Sequence, residues 1–265
     1  IFSKRYGIES YNEIEDALLH IKPDLIILAV PTSFQLEAIR RIAKCFIPKT
    51  ILCEKPMGDN LDQGIEIVSI CRKKEISLYV NYVRRCLPGS KEIKKRIDNG
   101  LINAPIKCVF WYSKGLRHNG SHFINLMEYW FGKCLDSQII NKGRNFQSFG
   151  FEPYAYLKFH NCEVSIIPAW EEFYSHYTIE IISSSGRLYW SQDNLEWTKV
   201  IRSENFKGYS FLANESEKIF TGAEKYQMHA ADELYLAMTD QFSSICNGEQ
   251  ALETLHSIDS ILLMD

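Results

Sequence analysis

Three short stretches of this chain carry residue types that do chemistry at a cleft. The first is Cys53-Glu54-Lys55-Pro56-Met57-Gly58, a carboxylate and an ammonium set against a proline. Pro56 cannot donate to a strand ladder and biases Lys55 towards extended backbone. A lysine there sits on a short, stiff tether where a strand must stop. The second stretch is Tyr82-Val83-Arg84-Arg85, whose guanidiniums suit a phosphate or carboxylate. Two successive residues of a strand face opposite sides, so at least one of these arginines is expected in a surface or interdomain salt bridge. The third is His118-Asn119-Gly120-Ser121-His122, two imidazoles spaced i, i+4. That spacing invites a metal, but Asn119-Gly120-Ser121 reads as a turn and helix cap, and no third and fourth ligands follow at zinc spacing. No metal is expected. Each stretch also has a plain alternative: a solvated lysine, a surface arginine, a histidine satisfied at a helix N-terminus or in a loop.

The elements that position these residues follow from hydrophobic period. Ile14, Ala17, Leu18 and Ile21 recur at helical spacing, Lys22-Pro23-Asp24 breaks the run, and Leu25 to Val30 is a continuous apolar stretch typical of a strand covered on both faces. Pro31-Thr32-Ser33 ends that strand and is placed to cap the next helix (Leu36, Ile39, Ile42, Ala43). Pro48 closes the helix, and a strand runs from Ile51 into Lys55. Ile65, Val68 and Cys71 mark a third helix, and Ile76 to Val83 a third strand. Strands alternating with helices predict a parallel, doubly wound sheet, whose ligands bind beyond the carboxyl ends of its strands. Lys55 lies at such an end.

After Arg85 the pattern changes. Ser90 to Asp98 is a short basic helix with Ile93 and Ile97 inward and Lys94, Lys95 and Arg96 outward as a solvated face. Ile106 to Tyr112 reads as a strand, and Phe123 to Phe131 as an apolar helix closed by Gly132. Strand-like segments follow at 155–159, 164–170, 177–182, 187–190 and 197–201, and helical period returns from about Ala230. Trp111, Tyr112, Trp130 and Trp170 are expected to pack in the core or on a sheet face.

Composition removes several classes of function. With 46% hydrophobic and 24% charged residues the chain is an ordinary globular one, and a net charge of −3 offers no electrostatic case for nucleic acid or an anionic membrane. No apolar run approaches the roughly 18 residues that span a bilayer. Eight scattered cysteines without a CxxC pair suit reduced thiols in a cytoplasm better than disulfides or zinc. Ile1 in place of Met indicates that the natural start lies further upstream.

Taken in series, Cys-Glu-Lys-Pro at the end of one strand, Asn81-Tyr82-Val83-Arg84-Arg85 at the end of the next, and Gly120-Ser121-His122 opening a helix that ends Trp130-Phe131-Gly132 resemble the Gfo/Idh/MocA oxidoreductases, relatives of glucose–fructose oxidoreductase and inositol dehydrogenase. The resemblance covers essentially the whole chain. It implies α/β plus α+β architecture: over residues 1–85 a Rossmann-type doubly wound parallel sheet, and over residues 86–265 a C-terminal domain with a large, mostly antiparallel open sheet for substrate and oligomerisation. The implied cofactor is NAD or NADP, and the implied substrates are sugars, polyols or sugar nucleotides. The compact Lys114 to His122 segment is similar to that of members in surface-polysaccharide and nucleotide-sugar pathways.

Departures from the family pattern are as informative. No GxGxxG turn occurs, and residues 1–9 match the segment that follows the family's second strand, so the first βαβ unit, on the order of 30 residues, is expected to be missing in front. Without it the choice between NAD and NADP is not legible, and the chain as it stands is expected to be inactive. His118 stands where an Asp is common, Asn125 where an Asp often follows the histidine, and Gln35 where a His is frequent.

By resemblance, His122 is the general base that takes the hydroxyl proton, a task for which an unperturbed imidazole is suited. Lys55 binds the substrate oxygen or the nicotinamide ribose and stabilises developing alkoxide, and His118 shares the proton relay. Pro31, Thr32, Ser33, Glu54, Lys55 and Pro56 border the cofactor. Tyr82, Arg84, Arg85, Asn119 and Asn125 line the substrate site. Lys55 and His122 are expected to meet where a nicotinamide ring lies. The function implied is hydride transfer between a nicotinamide and a hydroxyl or keto group of a sugar derivative, in a cytoplasmic homo-oligomer that takes a small-molecule substrate. The alternative is a non-catalytic relative that binds or scaffolds.

Overall fold

The computed structural model describes residues 2–263, which fall into two units: the residues up to Asn81 with Cys246–Leu252, and Tyr82–Ile245 with the residues from Glu253 onward. In the first unit, α1 (Phe2–Tyr6) and α2 (Ile14–Ile21) precede β1 (Leu25–Leu28), α3 (Thr32–Cys45), β2 (Thr50–Cys53), α4 (Leu61–Lys73) and β3 (Ser77–Val80). The three strands are parallel, with Ile26 opposite Ile51 and Ile51 opposite Leu78. β2 is central and buried along its whole length, which is why it reads as an unbroken apolar run. β1 is shorter than its apolar run and leaves Ile27 61% exposed, whereas β2 is covered on both faces.

The second unit begins with α5 (Pro88–Asp98), β4 (Ile106–Tyr112) and α6 (Ser121–Phe131). Eight strands follow: β5 (Asp136–Asn145), β6 (Phe151–Lys158), β7 (Cys162–Pro168), β8 (Thr178–Ser183), β9 (Gly186–Ser191), β10 (Asn194–Arg202), β11 (Ser210–Leu212) and β12 (Glu217–Lys218). With β4 they form a nine-stranded sheet in the order β11-β10-β9-β8-β4-β7-β6-β5, with β12 also paired to β10. The β4–β7 pair is parallel and the remaining pairs are antiparallel. Alternate residues Ile106, Cys108, Phe110 and Tyr112 turn into the core, where Phe110 stacks on Phe123 of α6 with ring centroids 5.4 Å apart. Trp130 is buried and donates its Nε1–H to the Ser90 carbonyl at 3.0 Å.

After α7 (Tyr226–Met238) the chain enters β13 (Cys246–Asn247), which pairs antiparallel with β3, Cys246 opposite Val80. This backbone pairing makes Cys246–Leu252 part of the first unit, so a contiguous division at residue 85 leaves out the returning strand. The chain ends in α8 (Gly248–Leu262). The Rossmann-type parallel sheet and the large open sheet expected from sequence are both present.

Several local expectations are corrected. Arg96 is 7% exposed rather than outward; it donates to Glu92 and bidentately to Glu217. Trp170 is 62% exposed and lies beyond the end of β7. The third strand stops at Val80, and Val83–Cys86 is a 3₁₀ turn. The eight cysteines are thiols, not disulfides. Among the described residues no helix is long and apolar enough to cross a membrane.

Candidate active site

The Glu-Lys-Pro turn in the first unit is held on both sides of Lys55. The ladder continues one residue past each strand, with Glu54 N–H donating to Leu28 O at 3.2 Å and Asn81 N–H to Cys53 O at 2.9 Å. Asn81 Nδ2 donates to Glu54 Oε1 at 2.8 Å. Pro56, Met57 and Gly58 are buried, and Gly58 takes φ +75°, a left-handed turn that glycine adopts without cost. Asn60 then caps α4 by accepting from Gln63 N–H at 2.9 Å. Gln35, on α3 and with no exposed surface, donates to Glu54 O at 2.9 Å and accepts from Gly58 N–H at 2.7 Å.

Pro31, Thr32 and Ser33 lie where β1 gives way to α3, but the N-cap is Pro31, which has no side-chain cap, and the Thr32 hydroxyl donates to Asp59 instead. The donor set of this end of the unit suits the ribose of a nicotinamide nucleotide: a carboxylate that accepts hydroxyls at Glu54, an ammonium at Lys55 and the first-turn amides of α3. It does not extend to a diphosphate cradle of the glycine-rich kind, because the sequence has no GxGxxG turn.

In the second unit the two histidines lie on one helical path. Gly115–Gly120 forms a π turn that runs directly into α6 at Ser121, with Gly120 itself helical (φ −58°, ψ −31°). Asn119-Gly120-Ser121 is therefore helix interior rather than the turn and cap expected. The wide turn is anchored at both ends. Lys114 enters at φ +70° with its ammonium 3.3 Å from Glu171, and Gly115 N–H donates to the buried Glu152 at 3.1 Å. Arg117 pairs with Asp259 of α8. His118 is exposed, and its ring lies 5.1 Å from that of Phe149. Asn119 is half-buried, and His122 stands edge-on to Tyr82.

The arginines are not on a strand, and neither forms an ion pair among the described residues. The Arg84 guanidinium lies between the rings of Phe123 (4.7 Å) and Tyr177 (4.4 Å), and burial lowers its pKa. Arg85 is 5% exposed and stacks on Tyr129 at 4.6 Å. Asn125 is buried in α6 and donates to the Thr254 hydroxyl at 3.0 Å. Glu128, one turn on, accepts from Thr254 and Ser257, yet burial raises its pKa to about 7. The sequence marks Gln35 only as a departure from the family pattern and gives no role to Glu152 or Glu128. Glu152 and Glu128 carry no motif, and only the packed fold shows what each of the three residues holds. Among the described residues no group of three or more His, Cys, Asp or Glu is placed to hold a metal ion.

Residues 1–82 match the family described as "Oxidoreductase family, NAD-binding Rossmann fold". The match covers the unit that holds the parallel sheet. Over those residues the chain is similar to the Gfo/Idh/MocA family. The uncharacterized oxidoreductase YrbE of Bacillus subtilis (strain 168) is 37% identical over 90 residues, which are 33% of this chain and 26% of YrbE. The chain thus matches about a quarter of that relative's length. Among solved structures, the aldose–aldose oxidoreductase of Caulobacter crescentus superposes with a TM-score of 0.78 at 15% identity, covering 98% of this chain and 84% of that one. The WlbA dehydrogenase of Bordetella pertussis, solved with NADH and UDP-GlcNAcA, superposes with a TM-score of 0.73 at 13% identity, covering 98% and 82%. At such identities these likenesses establish the fold.

Proposed function

We propose that this chain belongs to an NAD- or NADP-dependent dehydrogenase or reductase acting on a sugar, polyol or nucleotide sugar. The observation that carries the reading is the Glu54-Lys55-Pro56 turn, fixed by side-chain hydrogen bonds at the carboxyl end of a central parallel strand, within a segment of NAD-binding family sequence. Relatives of the same fold act on aldoses or bind NADH with a nucleotide sugar, which supports the substrate class.

A bound nicotinamide supplies the hydride acceptor or donor. The chain's residues do the rest. Glu54 and the first turn of α3 at Thr32 and Ser33 hold the ribose, with Pro31 and Pro56 shaping the border. Lys55 donates to the substrate oxygen, and its charge favours the alkoxide that builds as the proton leaves. His122 takes that proton during oxidation and returns it during reduction. His118, exposed on the π turn, passes it to solvent. Tyr82 and Asn119 contact the substrate or the base, whereas Arg84, Arg85 and Asn125 support the site by packing. The eight thiols suit a cytoplasmic setting.

The reading is tested with full-length protein by titrating NADH and NADPH through nicotinamide fluorescence and then screening sugar nucleotides for absorbance change at the nicotinamide band. Saturable binding with turnover of at least one sugar derivative is expected. Binding without turnover across the screen favours the second reading, a non-catalytic relative. His118 in place of a carboxylate, and Asn125 committed to Thr254, favour it.

A further inference from the structure

Gln35 has no exposed surface, and both ends of its amide are used across the turn that carries Lys55. Its orientation follows from chemistry. A backbone carbonyl only accepts and a backbone N–H only donates, so Nε2 must face Glu54 O and Oε1 must face Gly58 N–H. We propose that Gln35 is a positioning residue for Lys55, fixing the backbone before and after it so that the ammonium is presented in one direction. The inference rests on the reading that Lys55 serves a nicotinamide nucleotide.

Three further facts favour the role. Beyond Glu54 the turn leaves the ladder, so its backbone groups need partners from elsewhere. The Glu54 side chain is independently fixed by Asn81, which leaves the path from Lys55 to Gly58 as the part requiring a strap. Gln35 lies on α3, whose Ile39 and Ile42 are buried in the unit's core, so the strap is mounted on a rigid element. A methionine at this position matches the length but offers neither donor nor acceptor. A glutamate keeps the acceptor for Gly58 N–H and turns lone pairs towards Glu54 O.

Two measurements on full-length protein test this. Hydrogen exchange at the Gly58 amide reads the strap itself, and NADH fluorescence titration reads its consequence. Gln35→Met is expected to speed Gly58 exchange by about tenfold or more, whereas Gln35→Glu leaves it protected. Gln35→Met, Gln35→Glu and Lys55→Met are each expected to weaken NADH binding by about tenfold, and either Gln35 change made on top of Lys55→Met is expected to weaken it no further. Additive losses, or unchanged NADH affinity in the Gln35 variants while Lys55→Met binds weakly, overturn the positioning role. Unchanged Gly58 exchange in Gln35→Met removes the strap. NADH affinity of Lys55→Met equal to wild type instead removes the reading on which the inference rests, and the exchange result still judges the strap. If Gln35→Met does not fold, Gln35→Glu carries the same binding cycle.

Discussion

Tyr82 meets the His122 imidazole edge-on, with ring centroids 5.7 Å apart and planes at 90°. Tyr82 is only 1% exposed, so its ring is fixed by packing and sets the plane of the imidazole beside it. Tyr82→Leu is expected to shift the His122 ring-proton resonances by loss of the ring current and to lower turnover by about tenfold. Tyr82→Phe keeps the ring and is expected to preserve both. Unmoved His122 resonances in Tyr82→Leu would show that the contact does not persist in solution.

The π turn depends on glycine at one position. Gly115 has φ +76°, and a Cβ built there falls 2.0 Å from the Phe149 carbonyl oxygen. Gly115→Ala must open the contact with the β5–β6 hairpin or leave the left-handed region, at a cost of roughly 2 kcal/mol or more. A melting temperature lowered by about 5 °C is expected, with a matching loss of turnover. Full stability in that variant contradicts the turn described.

Glu128 makes stability depend on pH. Burial raises its folded pKa from the ordinary 4.5 to about 7, against the donors Thr254 and Ser257 and the nearby Arg85, with Glu253 adding to the rise. Between those two values the folded chain binds more protons than the unfolded chain, so this group's contribution falls as pH rises. The loss is complete above about pH 7 and corresponds to roughly 3 kcal/mol. Thermal melts from pH 5 to 7.5 are expected to show the decline, and Glu128→Gln is expected to flatten it. An equally steep decline in Glu128→Gln assigns the effect to other groups.

The open face of the nine-stranded sheet sets Val109, Trp111, Tyr156, Ile167, Ile182 and Tyr189 on one side, by strand alternation and register. An apolar and aromatic surface of this kind supports self-association. Light scattering on the full-length protein is expected to give a multiple of the chain mass, and Trp111→Lys is expected to lower it. A monomeric mass at micromolar concentration excludes the homo-oligomer.

Much of this fold was legible from the chain alone, for identifiable reasons. β2 is buried along its length and so reads as an unbroken apolar run, and β4 and β6 alternate cleanly because one face of their sheet is packed and the other is not. β5 was missed because Asp136–Asn145 is largely exposed and polar and its register shifts twice against β6. Arg96 was misplaced because helical period alone does not reveal Glu217, which lies 121 residues away and draws the guanidinium inward. In the candidate site, Lys55 and His122 were picked out by motif. The roles of Gln35 and Glu152 were not legible, because their partners are backbone groups of distant turns, which leave no trace in residue spacing.

In the mechanism proposed above, everything turns on His122 moving the substrate proton. Its most direct test is steady-state turnover of full-length His122→Ala with a sugar derivative found in the nicotinamide-band screen, alongside NADH affinity by fluorescence. A kcat lower by about 10²–10⁴-fold, with NADH affinity within about twofold of wild type, is expected. Turnover that survives the substitution contradicts it.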